Sequence, residues 1–77
     1  MVGARIAAAR SSAGLTVDDL AFRTKIRASM LIAMEADDFS ACGGDVYAHG
    51  HLKSIASALG MDPDDLLDLF DASTGGI

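Results

Sequence analysis

The chain has 77 residues, 51% of them hydrophobic, and eleven acidic against six basic side chains give a net charge of −5. This length holds one domain, and a small alanine-rich core leaves it about 3–5 kcal/mol of net stability. There is no room for a substrate cleft with its own catalytic shell. The acidic balance counts against a domain that lives by neutralising nucleic-acid phosphates, and no run approaches the roughly 20 apolar residues that span a bilayer.

The pattern is helical throughout, with no sustained alternation of β-branched residues. A first helix is predicted over about Gly3 to Ser12, with Ile6 and Ala9 on one face and Gly14 as its left-handed stop. Thr16, followed three residues later by Asp19, resembles a capping box that opens a second helix, Val17 to Arg23. Asp18 and Asp19 meet the positive end of its dipole, and Val17, Leu20 and Ala21 face inward. The segment Thr24-Lys25-Ile26-Arg27 breaks the pattern, with Ile26 anchoring the corner. A third helix follows from about Ala28 to Ala36, with Leu31, Met34 and Glu35 on one face.

Residues 36–45 read as a loop in which Phe39 plugs the core and Gly43-Gly44 add pliancy. The fourth helix is predicted over Val46 to Ala58, with Leu52, Ala56 and Leu59 inward and Tyr47 on a neighbouring line. Gly60 ends it. Asp62 caps a fifth helix with Pro63 at its first position, and Leu66, Leu67, Leu69 and Phe70 supply its inner face. The expected architecture is all-α: a five-helix bundle containing a helix-turn-helix in its second and third helices. Residues 1–72 make the domain. Residues 73–77 read as the start of a linker, so a longer natural chain is expected.

Cys42, the single cysteine, has no partner for an internal disulfide, which fits a reducing compartment. With Ala41 and two glycines beside it, it reads as a small buried hydrophobe rather than a reactive thiol. His49 and His51 stand two apart, a spacing that points ligands away from each other on a helix, so no metal is expected. The aspartates around Pro63 lack the alternating ligands and central glycine of a calcium loop, and capping explains them. Met30, Met34 and Met61 read as core fillers. No serine has a histidine placed to activate it. Neither a cofactor nor a small-molecule substrate is expected, and no enzymatic activity.

Two helices joined by a four-residue turn form a helix-turn-helix candidate. In a DNA-binding version the N-terminal residues of the second helix read base edges, and here those are Arg27, Ala28, Ser29 and Ile32. Only Arg27 and Ser29 are typical readers. Arg23, Lys25 and Arg27 form a local basic cluster suited either to phosphate or to solvent. Residues 54–77 hold five acids and no base.

These motifs together resemble the N-terminal helix-turn-helix domain of RodZ-type proteins, a divergent relative of the phage-repressor (XRE) DNA-binding-domain fold. The resemblance covers roughly Gly3 to Asp71. It is carried by Ile6, Ala9 and Arg10, by Gly14-Leu15-Thr16, by Thr24-Lys25-Ile26-Arg27, by Leu31 with Glu35, and by Asp38-Phe39. Its most specific part is Val46-Tyr47, Gly50, Leu52-Lys53-Ser54, Ala56, Leu59-Gly60 and Asp62-Pro63.

The resemblance implies a cytoplasmic domain of a bitopic inner-membrane protein that acts in cell elongation and peptidoglycan synthesis. The membrane segment would lie outside this chain. It also implies docking onto a protein partner, the bacterial actin filament protein or another cell-elongation component in its place, through the fourth helix, at positions matching His51 and Ile55, with Lys53 and His49 nearby. Gly50, inside that helix, is expected to permit close packing on a neighbouring helix or to kink the helix start. The alternative function is an XRE-class DNA-binding regulator using Arg23, Lys25, Arg27 and Ser29. A third reading, a bare dimerisation module, requires a large exposed apolar patch.

Overall fold

A computed structural model describes residues 1–74, with side chains described through Ala72. The chain forms α1 (Val2–Ser12), α2 (Val17–Thr24), α3 (Ala28–Glu35), a short 3-10 turn (Ser40–Cys42), α4 (Asp45–Leu59) and α5 (Pro63–Thr74). No strand occurs among the described residues. The bounds of the first four helices differ from the sequence reading by at most one residue, and α5 takes the first two residues of the expected linker. The rest of that linker, 75–77, lies outside the described residues.

Local chemistry sets each boundary. At the start of α2 the Thr16 hydroxyl accepts from the Asp19 backbone N–H at 3.0 Å, and the Asp19 carboxylate accepts from the Thr16 N–H at 3.0 Å. The capping box is therefore reciprocal. The Thr16 backbone N–H, donating to the ionised carboxylate, is the largest cause holding Asp19 below its ordinary pKa. A depressed folded pKa contributes stability that is present above the unfolded value and is lost as pH falls through the folded one. Acidification below about pH 4 is thus expected to loosen the start of α2. Thermal melts from neutral pH down to that range should show a smaller drop for Asp19→Asn than for the natural chain.

α2 ends at Lys25, which takes the left-handed conformation at φ 60°. The Thr24 hydroxyl bridges the corner, donating to the Leu20 carbonyl at 2.8 Å and accepting from the Ile26 N–H at 3.2 Å. Ile26 is buried there, as expected. α4 stops at Gly60, and Asp62 accepts from the Asp64 N–H at 3.0 Å to open α5 behind Pro63.

The core draws on every helix: Val2 and Ile6, Leu20, Leu31 and Met34, Ala48, Leu52, Ile55 and Ala56, Leu66 and Phe70, together with Ile26 and Cys42. Phe39 covers one end, its ring edge-on to Phe70 with centroids 5.0 Å apart. Burial pushes the Cys42 thiol pKa up, so it packs as a hydrophobe. Leu69 departs from expectation: it is 36% exposed, because the inward line of α5 runs through Leu66 and Phe70, one helical turn apart.

The helical glycine that a neighbouring helix crowds is Gly3, not Gly50. A Cβ on Gly3 would stand 2.5 Å from the Glu35 carbonyl oxygen and 2.6 Å from that of Met34. The Gly3 N–H donates to the Asp37 carboxylate at 2.8 Å. α1 makes no side-chain cap with its own N-cap residue, and a carboxylate from just beyond α3 supplies an acceptor for one of its free N–H groups. A second bridge between these helices is the ion pair Arg10–Glu35.

Candidate functional site

The candidate docking element is α4, and its phase is set by burial. Ala48, Leu52, Ile55 and Ala56 are sealed in the core, and Leu59 is half-buried beside them. That face dictates the opposite one. Val46, Gly50, Lys53 and Ser57 recur at i, i+4, i+7 and i+11, and all are exposed. Tyr47 and Ser54 lie on the adjacent line and are exposed too. Val46 at 81% and Tyr47 at 64% exposure are large apolar side chains standing in water.

This arrangement removes Ile55 from the expected contact surface. Ile55 has no solvent exposure and faces the core, so it cannot meet a partner on the folded domain. His51 is half-buried on the side of Ile55, away from the Val46–Ser57 stripe. His49 is committed within the fold: its Nε2 lies 2.8 Å from an Asp71 carboxylate oxygen, and its ring stands edge-on to Phe70 at 5.5 Å. Only Lys53 lies on the free face. Val46, Tyr47, Ser54 and Ser57 went unrecognised as surface. Placing Ala48 and Ile55 with Leu52, Ala56 and Leu59 as one apolar arc would have exposed the opposite stripe.

Gly50 is also corrected. α4 runs unbroken through it, and a Cβ there would meet nothing within 4 Å. It neither kinks the helix nor admits a neighbouring one. A mid-helix glycine costs about 0.5–1 kcal/mol relative to alanine, and no contact inside the domain offsets that cost. Gly50→Ala is therefore expected to stabilise the domain by about 0.5–1 kcal/mol, raising its thermal midpoint by a few degrees. A melt showing equal or lower stability would contradict this account of the site.

The residues of the DNA-binding alternative are all exposed: Arg23 on α2, Lys25 at its end, Arg27 at the start of α3, and Ser29 in its first turn. The outward face of α3 continues with Ile32, 59% exposed, and Ala36. It presents an aliphatic side chain where a bidentate base reader would stand. Arg23 is turned instead toward α4. It lines an open cleft of about 430 Å³ with Thr24, Lys53, Ser54, Ser57 and Ala58.

Among the described residues, no group of three or more histidine, cysteine, aspartate or glutamate side chains is placed to hold a metal ion. No helix of the described residues is long and apolar enough to cross a membrane.

Residues 5–66 match the profile of a family described as "Helix-turn-helix domain". The chain is also similar to the cytoskeleton protein RodZ of Streptococcus pneumoniae, with 37% identity over 73 residues. That alignment takes in 95% of this chain and 26% of the relative, so the chain spans about a quarter of that protein's length. No solved structure matches it. The chain belongs to the helix-turn-helix domain family, and within it to the RodZ type.

Proposed function

We propose that this domain is a non-catalytic docking module of a membrane-anchored cell-shape scaffold, and that it meets a bacterial actin filament through the outward face of α4. The observation that carries the reading is Gly50. A glycine sits at the centre of a solvent-facing helical stripe where alanine is expected to be more stable, and a closely approaching partner gives that flat surface a use. Val46 and Tyr47 stand beside it as exposed apolar anchors of the kind that dominate protein interfaces. The relative's description as a cytoskeleton protein agrees with this role. In this reading the domain lies at the cytoplasmic face of the membrane, with the anchoring segment outside the present chain.

Co-sedimentation with filaments of a bacterial actin tests it. Tyr47→Ala and Val46→Ala are each expected to weaken binding by about tenfold or more, the loss of one interface anchor worth at least ~1.4 kcal/mol. His51→Ala should change binding little. Full recovery of the Tyr47 and Val46 variants with filaments would sink the docking face. Salt-dependent binding of duplex DNA that Arg27→Ala abolishes would favour the regulator reading in its place.

A further inference from the structure

We propose that the cleft between α2 and α4 is a carboxylate-binding site, which seats an acidic side chain of the docked protein. The inference rests on the α4 docking reading and gives the partner a chemistry. Six basic residues serve an acidic chain. Arg10 is held by Glu35, and Arg5 lies 4.0 Å from Asp65. Neither Arg23 nor Lys53 has a carboxylate within 4.0 Å among the described residues, although the Arg23 charge is felt by Asp19 one turn back on α2, and both line this one cleft.

The remaining walls sharpen the chemistry. Thr24 has spent its hydroxyl on the Leu20 carbonyl and the Ile26 N–H, so it contributes bulk rather than a donor. Ser54 and Ser57 have hydroxyls with no hydrogen bond among the described residues, and both line the cleft. Ala58 adds an apolar surface. A planar guanidinium, an ammonium and two hydroxyls around an apolar patch match an oxyanion carried on a hydrocarbon stem.

A carboxylate and a phosphate share that chemistry, and the surroundings favour the carboxylate of a protein. Lys53, Ser54 and Ser57 belong to the same exposed side of α4 as Val46, Tyr47 and Gly50, so a charged cleft adjoins an apolar face. Charged rims around apolar anchors are the anatomy of a protein interface. Duplex DNA would instead have to approach a chain of net charge −5 whose α3 offers Ile32 and Ala36 outward.

The test is chemical-shift mapping of the ¹⁵N-labelled domain with hexaglutamate and, separately, with a short DNA duplex. Hexaglutamate is expected to shift the amides of Arg23, Thr24, Lys53, Ser54 and Ser57. Arg23→Glu and Lys53→Glu should each weaken it about tenfold, and Lys25→Glu less than about twofold, the effect of losing a charge-assisted hydrogen bond. Thermal melts establish that each variant is folded. No localised shift, shifts spread equally over Lys25 and Arg27, or tighter binding of the duplex would each overturn the assignment.

The filament assay separates this inference from the docking reading. Filament binding lost in Tyr47→Ala but intact in Arg23→Glu removes the cleft and leaves α4. Hexaglutamate mapped to the cleft, with no filament binding by the natural chain, keeps the cleft and removes the filament.

Discussion

Gly3→Ala is expected to destabilise the domain by about 2–3 kcal/mol, the cost of forcing an extra carbon into a packed interior. Its Cβ would fall 2.5 Å from one backbone carbonyl oxygen and 2.6 Å from the next, both at the end of α3. Backbone cannot rotate away as a flexible side chain can, so the start of α1 must lift. Lifting it also strains the bond from the Gly3 N–H to Asp37 and withdraws Val2 from the core. Set against a total of about 3–5 kcal/mol, the loss should populate unfolded chains near body temperature. Urea unfolding is the measurement: the midpoint should fall with the slope unchanged. The same substitution at Gly50 is expected to have the opposite sign, because nothing stands within 4 Å there. A Gly3→Ala variant as stable as the natural chain would mean that α1 and α3 are not packed as described.

Arg10→Ala is expected to cost about 2–3 kcal/mol. The guanidinium makes a bidentate pair with Glu35, Nε to Oε2 at 2.7 Å and Nη2 to Oε1 at 3.0 Å, and its Nη1 donates to the Leu15 carbonyl at 2.9 Å. One side chain thereby ties α1 to α3 and to the turn before α2. Both partners are largely shielded, with side-chain exposures of 20% and 13%, so the pair escapes most of the screening that makes surface ion pairs nearly worthless. Removing Arg10 leaves the Glu35 carboxylate and the Leu15 carbonyl short of donors, and the penalty for the stranded charge dominates the loss. The hydrogen bond to Glu35 raises the Arg10 pKa above its ordinary value. Arg10 therefore stays charged throughout the physiological range, and its own titration does not limit the pair there. Arg10→Lys keeps the charge but not the planar fork and should fall between the natural chain and Arg10→Ala. A double-mutant cycle with Glu35→Ala measures the coupling, expected at about 1–2 kcal/mol, and a value near zero would show the pair to be incidental.

How much of this was legible beforehand differs by residue. The Thr16–Asp19 box, the Asp62-Pro63 start of α5, and the corner at Ile26 were read correctly because each involves positions two or three apart, where chain geometry leaves little choice. Arg10 and Glu35 both belong to the residues that carry the resemblance, yet 25 positions separate them and no local pattern pairs them. Gly3 and Gly50 are both helical glycines, and neither one's neighbours in sequence announce its packing. The difference between them lies entirely in whether another helix passes close by. Ile55 shows the same limit from the other side. An aliphatic residue in an amphipathic helix fits either edge of the apolar arc, and its assignment to the surface came from a resemblance rather than from the phase of α4.

The order of residues alone therefore determined the helix count, the caps and stops, most of the core, and the helix-turn-helix class. These follow from apolar spacing, the helix dipole and the few conformations open to proline and glycine, all of which act within a turn or two of chain. Only the packed bundle decided which glycine is crowded, which face of α4 is free, that His49 belongs to α5 through Asp71, and that Arg23 shares a cleft with Lys53. Those outcomes depend on how helices are rotated and spaced against one another. That rotation is set by the joint burial of side chains drawn from all five helices, and no short stretch of sequence contains it.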